Sequence, residues 1–369
     1  MSKKLALNLL VAGALFTSCS NDDGIPVEPT LDIPNEYISM DFDANVVAEN
    51  TVINQLTELT SALNDAEANA QTSTVGPIDY PTSLSAVTLP NYRTLVTDWL
   101  TELVSSANSA DGFQNPGFGN MPAMNQEGGL LGTRLLDEYG LELEQMIEKG
   151  TFGAALYNHA LTIINGDLTD PGVIDKLVEI HGTDIAFNPS ETTAAATYSR
   201  RRSNLENQTG FFYNIKSNLI TAKAAIQAGS EFNDVRDQAL ADYLKNWEQS
   251  NFATVIFYCN ATKDQLTAAF ALADGPDKEI ALGNAMHAYA EGVAFAHGFK
   301  GLSNKIITDA EIDSVLEKLL AIEGQNPQSH RFLNEIELFA NLDAVIDDLQ
   351  DIYGFTDAEV TSFFVNNNP

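Results

Sequence analysis

Apolar residues recur every three to four positions along most of the chain, which is the spacing of one helix face. The last long stretch shows it best, because Phe332, Ile336, Phe339, Leu342 and Ile346 keep this step throughout. The same spacing predicts six further long helices, over 52–70, 92–107, 134–165, 204–229, 235–260 and 277–299. No run of alternating β-branched residues competes with them. The pattern therefore predicts an all-α, multi-helix bundle, with two packed bundle halves as one possible arrangement.

Two helix starts are explicit in the sequence. Thr308 stands three residues before Glu311, and Thr356 stands three before Glu359, with an apolar residue on either side of each motif. This is a capping box inside a hydrophobic staple. Residues 111–132 break the helical pattern with six Gly and two Pro. They predict a long surface loop that exposes Phe113, Phe118, Met121 and Met124, and a mobile loop is favoured over a ligand lid.

The first 18 residues have the pattern of a secretory signal. Lys3 and Lys4 precede a 12-residue, largely apolar run, and small residues then precede Cys19. Such a run spans about 18 Å as a helix, too short for the ~30 Å hydrocarbon core. The stretch Leu15-Phe16-Thr17-Ser18-Cys19 resembles a bacterial lipobox, whose cysteine is diacylated. We therefore expect a lipid anchor at Cys19 that holds the mature protein at a membrane. A simple secretory signal with a chance cysteine is the alternative.

The next segment, residues 19–40, is acidic and contains several prolines, so it predicts an extended tether ahead of one all-helical domain over 41–369. Ser20-Asn21-Asp22-Asp23 resembles the acidic export signal of Bacteroidetes lipoproteins. The expected location is the outer membrane, and the cell surface is favoured over the periplasmic face.

Charge and cysteine content exclude several functions. The 369 residues contain 51 Asp and Glu against 19 Lys and Arg, a formal net charge of −32. This surplus repels phosphate backbones, so we expect no nucleic-acid partner. Two cysteines are too few for a disulfide framework or a thiolate-rich metal site. With Cys19 acylated, Cys259 lies in an apolar run and is expected to be a small buried hydrophobe.

The five histidines carry the candidate chemistry. His287 and Glu291 lie four apart on a predicted helix, and His181 and Asp184 lie three apart, so each pair can share a metal ion or simply hydrogen-bond in the core. His159 lies in a helix of small residues and is a fifth candidate ligand. His297 is expected to flank the His287 site and His330 to be solvated.

One basic cluster occurs in this acidic chain. Arg200, Arg201 and Arg202 are consecutive, and pairing with the protein's own carboxylates is favoured over binding an anionic ligand. The sequence has neither a G-x-S-x-G nucleophile elbow nor the H-E-x-x-H motif of zinc peptidases.

Several segments together resemble the Bacteroidetes lipoprotein family of the DUF4856 domain, whose function is unknown. The resemblance runs from about Tyr37 to Tyr353. It rests on Glu144-x-x-x-Glu148-Lys149-Gly150 with Ala154-Ala155-Leu156-Tyr157, His181-x-x-Asp184-x-Ala186-Phe187, Trp247-Glu248 with Phe257-Tyr258, and His287-x-x-x-Glu291-Gly292-x-x-Phe295. The His181 motif is imperfect, because the family has a Trp before the Asp and an acid after it, at positions 183 and 185.

The chain is more distantly similar to imelysin-like proteins, helical-bundle lipoproteins linked to iron uptake and in some cases to peptidase activity. Their G-x-H-x-x-E signature is not matched in spacing, because Gly283 and Glu291 each lie four residues from His287. The resemblances imply an envelope-anchored ligand-binding or uptake-accessory protein that uses iron or another divalent metal. A non-enzymatic role is favoured. The alternatives are an imelysin-like metallopeptidase with His287 and Glu291 as ligands, and a structural partner of an outer-membrane transporter.

Overall fold

The structure is a computed structural model that describes residues 29–369. Helices make up 63% of it, and its strands form two very short sheets, so the predicted all-α class is confirmed. The predicted signal peptide and the anchor at Cys19 lie outside the described residues. Within 29–369, no helix combines the length and the apolar composition that crossing a bilayer requires.

The α-helices follow one another as α1 Phe42–Asn45, α2 Val47–Asn69, α3 Thr82–Val87, α4 Pro90–Ala107, α5 Leu143–Thr151, α6 Asn158–Ile164, α7 Gly172–His181, α8 Ala194–Arg201, α9 Phe211–Ala228, α10 Asn233–Phe270, α11 Pro276–His297, α12 Asp309–Lys318, α13 Phe339–Tyr353 and α14 Asp357–Phe363. A π-helix, Phe152–Tyr157, joins α5 to α6, and short 3₁₀ turns occupy Pro189–Glu191, Ser230–Phe232, Ser329–Leu333 and Ile336–Leu338. Strand β1 (Gly129–Leu131) pairs antiparallel with β2 (Arg134–Leu136), and β3 (Ser203–Asn204) with β4 (Thr209–Gly210).

The predicted helix starts at 134 and 204 are wrong, because a β-hairpin occupies each position. In the first hairpin, two leucine pairs flank the Gly132-Thr133 turn. Their spacing resembles that of a helix face, but the turn folds them back on each other, and the helix begins only at Leu143. The stretch predicted as a helix from 332 starts with two 3₁₀ turns, and its α-helix begins at Phe339.

Helix α10 is the central element. Its 38 residues span about 57 Å, and it packs mainly against α9, α11 and α13. Trp247, Phe252 and Cys259 are all buried along its middle, as expected of a helix enclosed on every side. The predicted burial of Cys259 is thus confirmed, and that burial raises the pKa of its thiol to about 12. The buried apolar side chains form one continuous cluster.

Helices α5 and α11 cross at unusually close range. A Cβ atom placed on Gly298, directly after α11, would lie only 2.2 Å from the carbonyl oxygen of Gly150 on α5. No real Cβ tolerates such a contact, so this crossing requires glycine at position 298. The close approach lays the first turn of α5 along the middle of α11, where the candidate site is built.

Both predicted capping boxes are confirmed. The Thr308 hydroxyl accepts the Glu311 N–H at 3.2 Å, and the Glu311 carboxylate accepts the Thr308 N–H at 2.7 Å. Thr356 and Glu359 repeat the arrangement at the start of α14. The apolar residues that flank each motif are buried.

The loop before α5 is partly as predicted. Phe118, Met121 and Met124 are exposed, whereas Phe113 is buried. His330 is fully buried too, contrary to expectation. Its ring nitrogens lie 3.1 Å from the carbonyl oxygens of Tyr139 and Asn120, so a long-range contact attaches the loop to the body.

The arginine cluster does not pair with carboxylates, so that expectation is wrong. Arg200 donates to the carbonyl of Asn367 at 2.9 Å, and Arg202 donates to the carbonyl of Phe363 and the side-chain oxygen of Asn366. Among residues 29–369, none of the three arginines forms a salt bridge. The C-terminal segment thus supplies acceptors to the guanidinium groups of Arg200 and Arg202, and the side chain of Asn367 donates to the backbone carbonyl of Arg201.

Deleting residues 364–369 is therefore expected to destabilise the protein by about 1–3 kcal/mol, because a buried guanidinium then loses acceptors. Chemical denaturation of the truncated chain measures this loss. Deleting only 368–369, both exposed, is the matched control and is expected to leave the free energy of unfolding unchanged. Equal stability of the two truncations would contradict the role of the arginine contacts.

Candidate metal centre

The centre is built where the chain turns from β2 into α5. The Asp137 carboxylate accepts the backbone N–H groups of Tyr139 and Leu141 at 2.9 and 2.7 Å, which closes the turn. Glu142 follows directly before α5 and Glu144 lies in its first turn. The two glutamates are 0% and 4% exposed, an unusual burial for carboxyl groups.

Helix α11 supplies the imidazole. His287 Nδ1 lies 2.8 Å from Glu142 Oε2, and one ligand atom each from Glu142, Glu144 and His287 lie within 4.8 Å of one another. Glu291 is one turn further along α11, with its Oε2 3.9 Å from His287 Nε2. Its other oxygen accepts the Tyr198 hydroxyl at 3.4 Å. The predicted pair His287 and Glu291 is therefore close together, beside two glutamates that the sequence analysis did not name as ligands.

Two cations lie at the edge of the cluster. Arg134 Nη1 is 3.4 Å from Glu67 Oε1 and 3.8 Å from Glu142 Oε1. Strand β1 packs directly on α11: a Cβ atom on Gly283 of α11 would lie only 2.2 Å from the carbonyl oxygen of Leu131. This close packing brings the β1–β2 hairpin, and with it Arg134, to the edge of the cluster.

On the other side, Lys149 Nζ is 3.7 Å from Glu291 Oε1 and also pairs with Glu148. The five carboxyl groups of the cluster thus face two permanently cationic side chains. The carboxyls are Glu67, Glu142, Glu144, Glu148 and Glu291.

The pKa values of several of these groups are shifted because the carboxyl groups lie close together and are buried. Burial, followed by the charge of Glu67, raises the pKa of Glu142 well above its usual range. Burial and the charge of Glu148 do the same to the pKa of Glu144. Burial lowers the pKa of His287, and the Glu291 charge offsets this only in part. These shifts favour the protonated forms of Glu142 and Glu144 and the neutral form of the His287 imidazole.

These donors fit a divalent metal. Imidazole nitrogen and carboxylate oxygen are ligands of Fe²⁺, Mn²⁺ and Zn²⁺, whereas thiolate, the ligand that selects Cu⁺, is absent from this group. A divalent ion in this position would replace the protons and neutralise the repulsion between the carboxylates. His287 and Arg134 keep 24% and 28% of their side-chain surface exposed, which gives the cluster a route to solvent.

The other predicted ligands lie elsewhere, each with its own partner. His159 Nε2 is 3.1 Å from Glu49 Oε1 on α2. His181 is fully buried, with Nε2 3.1 Å from the Ser199 hydroxyl. Asp184 accepts the Asn188 N–H at 3.3 Å within a turn. Over the described range 29–369, none of His159, His181 and Asp184 belongs to a group of three potential ligands.

Sequence reasoning missed Glu142 and named Glu144 only as part of a family-like motif, not as a candidate ligand. The acid-Leu-acid step at 142–144 is their shared local signal, and this has little value among 51 acidic residues. What distinguishes them is burial, which depends on α11 and on the β1–β2 hairpin.

No protein-family model matches the chain, and no curated protein or solved structure is significantly similar to it.

Proposed function

We propose that this protein binds a divalent transition-metal ion through Glu142, Glu144 and His287, with Glu291 beside them. The observation that carries the proposal is the convergence of three potential ligand atoms within 4.8 Å, in a buried cluster where carboxyl groups outnumber cations. Buried carboxylates without enough counter-charge are costly, and a bound cation removes that cost.

The biological setting that we propose is an outer-membrane lipoprotein that accepts or passes on a metal, iron in the first instance, for an outer-membrane transporter. The lipobox-like sequence at Cys19, the acidic tether and the resemblance to the DUF4856 and imelysin-like families support this part. The strong negative charge of the chain also favours attraction of cations.

Metal titration tests the site. Protein purified without a histidine tag and stripped of metal is titrated with Mn²⁺, Zn²⁺ and, under anaerobic conditions, Fe²⁺. Replacing His287 with Ala is expected to weaken binding by roughly tenfold or more, because a ligand is lost. His159→Ala is the matched control, since His159 is paired with Glu49 and should leave binding unchanged. Equal affinities of the wild type and His287→Ala would refute the site.

Metal binding is also expected to release protons and to strengthen as the pH rises. The raised pKa values of Glu142 and Glu144 mean that a metal ion must displace their protons. Calorimetry in two buffers with different ionisation enthalpies measures the number of protons released. An affinity that does not change between acidic and neutral pH would contradict this assignment.

A further inference from the structure

A second candidate site lies ten residues beyond His287 on α11, about 15 Å away along the helix. It is a cavity of about 180 Å³ between α4, the turn before α5, the end of α11 and the segment after α12. Its volume is comparable to that of engineered cavities that bind benzene, about 150 Å³. Its buried floor includes Met146 and Leu141, and its half-buried rim includes Tyr139. The cavity can therefore hold a small organic molecule.

The lining of this cavity suits a cation. Glu102, Asp137 and Glu323 contribute carboxyl groups, and Trp99 and Tyr139 contribute aromatic rings. No Lys or Arg is among its lining residues in the described part of the chain. Aromatic rings together with carboxylates are the usual surroundings of bound ammonium groups.

Two of the three carboxyl groups have no counter-charge in the part of the chain that the structure describes. Lys300 Nζ lies 3.0 Å from Glu323 Oε2, but within 29–369 neither Glu102 nor Asp137 forms an ion pair. Burial and the neighbouring Glu138 raise the pKa of Glu102 to about 7. A positive ligand would relieve this crowding, whereas a negative one would add to it.

His297 supplies an unsatisfied polar atom. The residue is 4% exposed and lines the cavity, and its Nδ1 has no hydrogen-bond partner among the described residues. Its Nε2 faces Glu323 Oε2 at 3.8 Å. Burial lowers the pKa of His297 to about 4, so the ring is neutral near pH 7 and Nδ1 can accept a hydrogen bond. Buried polar atoms normally have partners, and the imidazole that carries this one lines the cavity.

We propose that this cavity binds a small organic cation that carries an N–H donor, such as a primary alkylammonium group. The ammonium donates to the Glu102 carboxylate, beside the Trp99 ring and the His297 imidazole, while its alkyl part contacts Leu141 and Met146. None of the three proposed metal ligands lines this cavity.

Calorimetric titration of the His287→Ala protein with n-butylammonium tests the proposal, because this background removes a ligand of the metal centre. Tetramethylammonium, n-butanol and butanoate are the comparison ligands. Binding of n-butylammonium is expected to exceed that of all three, since tetramethylammonium lacks an N–H, butanol lacks the charge and butanoate has the wrong sign. Trp99 fluorescence gives a second readout, because the other tryptophan, Trp247, is fully buried in α10.

The Glu102→Gln variant is expected to weaken n-butylammonium binding by roughly tenfold or more, because a charged partner is lost. The matched control is Glu206→Gln, at an exposed position in the β3–β4 hairpin, which should bind as before. Far-ultraviolet circular dichroism verifies that each variant is folded. The proposal is overturned if n-butylammonium does not bind at millimolar concentration, or if n-butanol or tetramethylammonium binds as tightly. Unchanged binding by Glu102→Gln would overturn it as well.

Discussion

A protein with both Glu142→Gln and Glu144→Gln is expected to lose metal binding by about a hundredfold or more and yet to be more stable than the wild type in its metal-free form. Glutamine keeps the shape of the side chain and removes the charge. In the wild type, both carboxyls have a raised pKa. Ionising them in the folded protein therefore costs more than ionising them in the unfolded chain.

The sign of the pH effect follows directly. A group whose pKa is raised on folding favours the folded state below its ordinary pKa, and this contribution is lost as the pH rises through the folded value. The metal-free wild type should therefore lose stability between acidic and alkaline pH, and the double variant should lose less. Thermal unfolding in the presence of a chelator measures this difference.

The control for this experiment is Glu58→Gln with Glu206→Gln, which removes the same number of charges at exposed positions. It should retain both metal binding and the pH dependence of the wild type. A Glu142 and Glu144 double variant that binds metal normally would refute the centre. One that is less stable than the wild type without metal would show that the carboxylates have a structural role instead.

The second large effect is expected at Asp175. Its two carboxylate oxygens accept from Tyr37 and Lys223, both at 2.5 Å, and from Ser39 and Asn45, both at 2.7 Å. This network joins the segment before α1 to α7 and α9. Asp175→Ala is expected to cost about 3–5 kcal/mol, because it leaves the Lys223 ammonium buried without a partner.

Denaturant unfolding of Asp175→Ala measures that cost, and Asp175→Ala with Lys223→Met is its control. The double variant should recover much of the loss, since neither charge remains. Burial alone would raise the pKa of Asp175, but its hydrogen bonds from Lys223 and Tyr37 lower it overall. Its stabilisation is therefore present above the ordinary carboxyl pKa and is lost as the pH falls below it. Equal acid sensitivity of wild type and double variant would contradict this account.

The elements that sequence reasoning placed well are those whose signals are local. The capping boxes at Thr308 and Thr356 can be recognised from the three residues that follow each threonine. The apolar stripe that predicted α4 can be recognised from residues one helical turn apart. The β1–β2 hairpin was missed because its turn of two residues leaves the spacing of apolar positions nearly helical. The burial of His330 was missed because its partners, Asn120 and Tyr139, are about 200 residues distant in sequence.

The residues of the candidate site also separate into those that the sequence indicated and those that only the tertiary structure brought in. The sequence by itself determined the helical class and the pairing of His287 with Glu291, because residues four apart on one helix share a face. Only the tertiary structure decided that Glu142 and Glu144 join them. Their approach depends on how α5 crosses α11 at Gly298, a contact between segments about 150 residues apart. Periodicity describes which face of a helix is buried, but the packing of distant helices determines which charged groups share that burial.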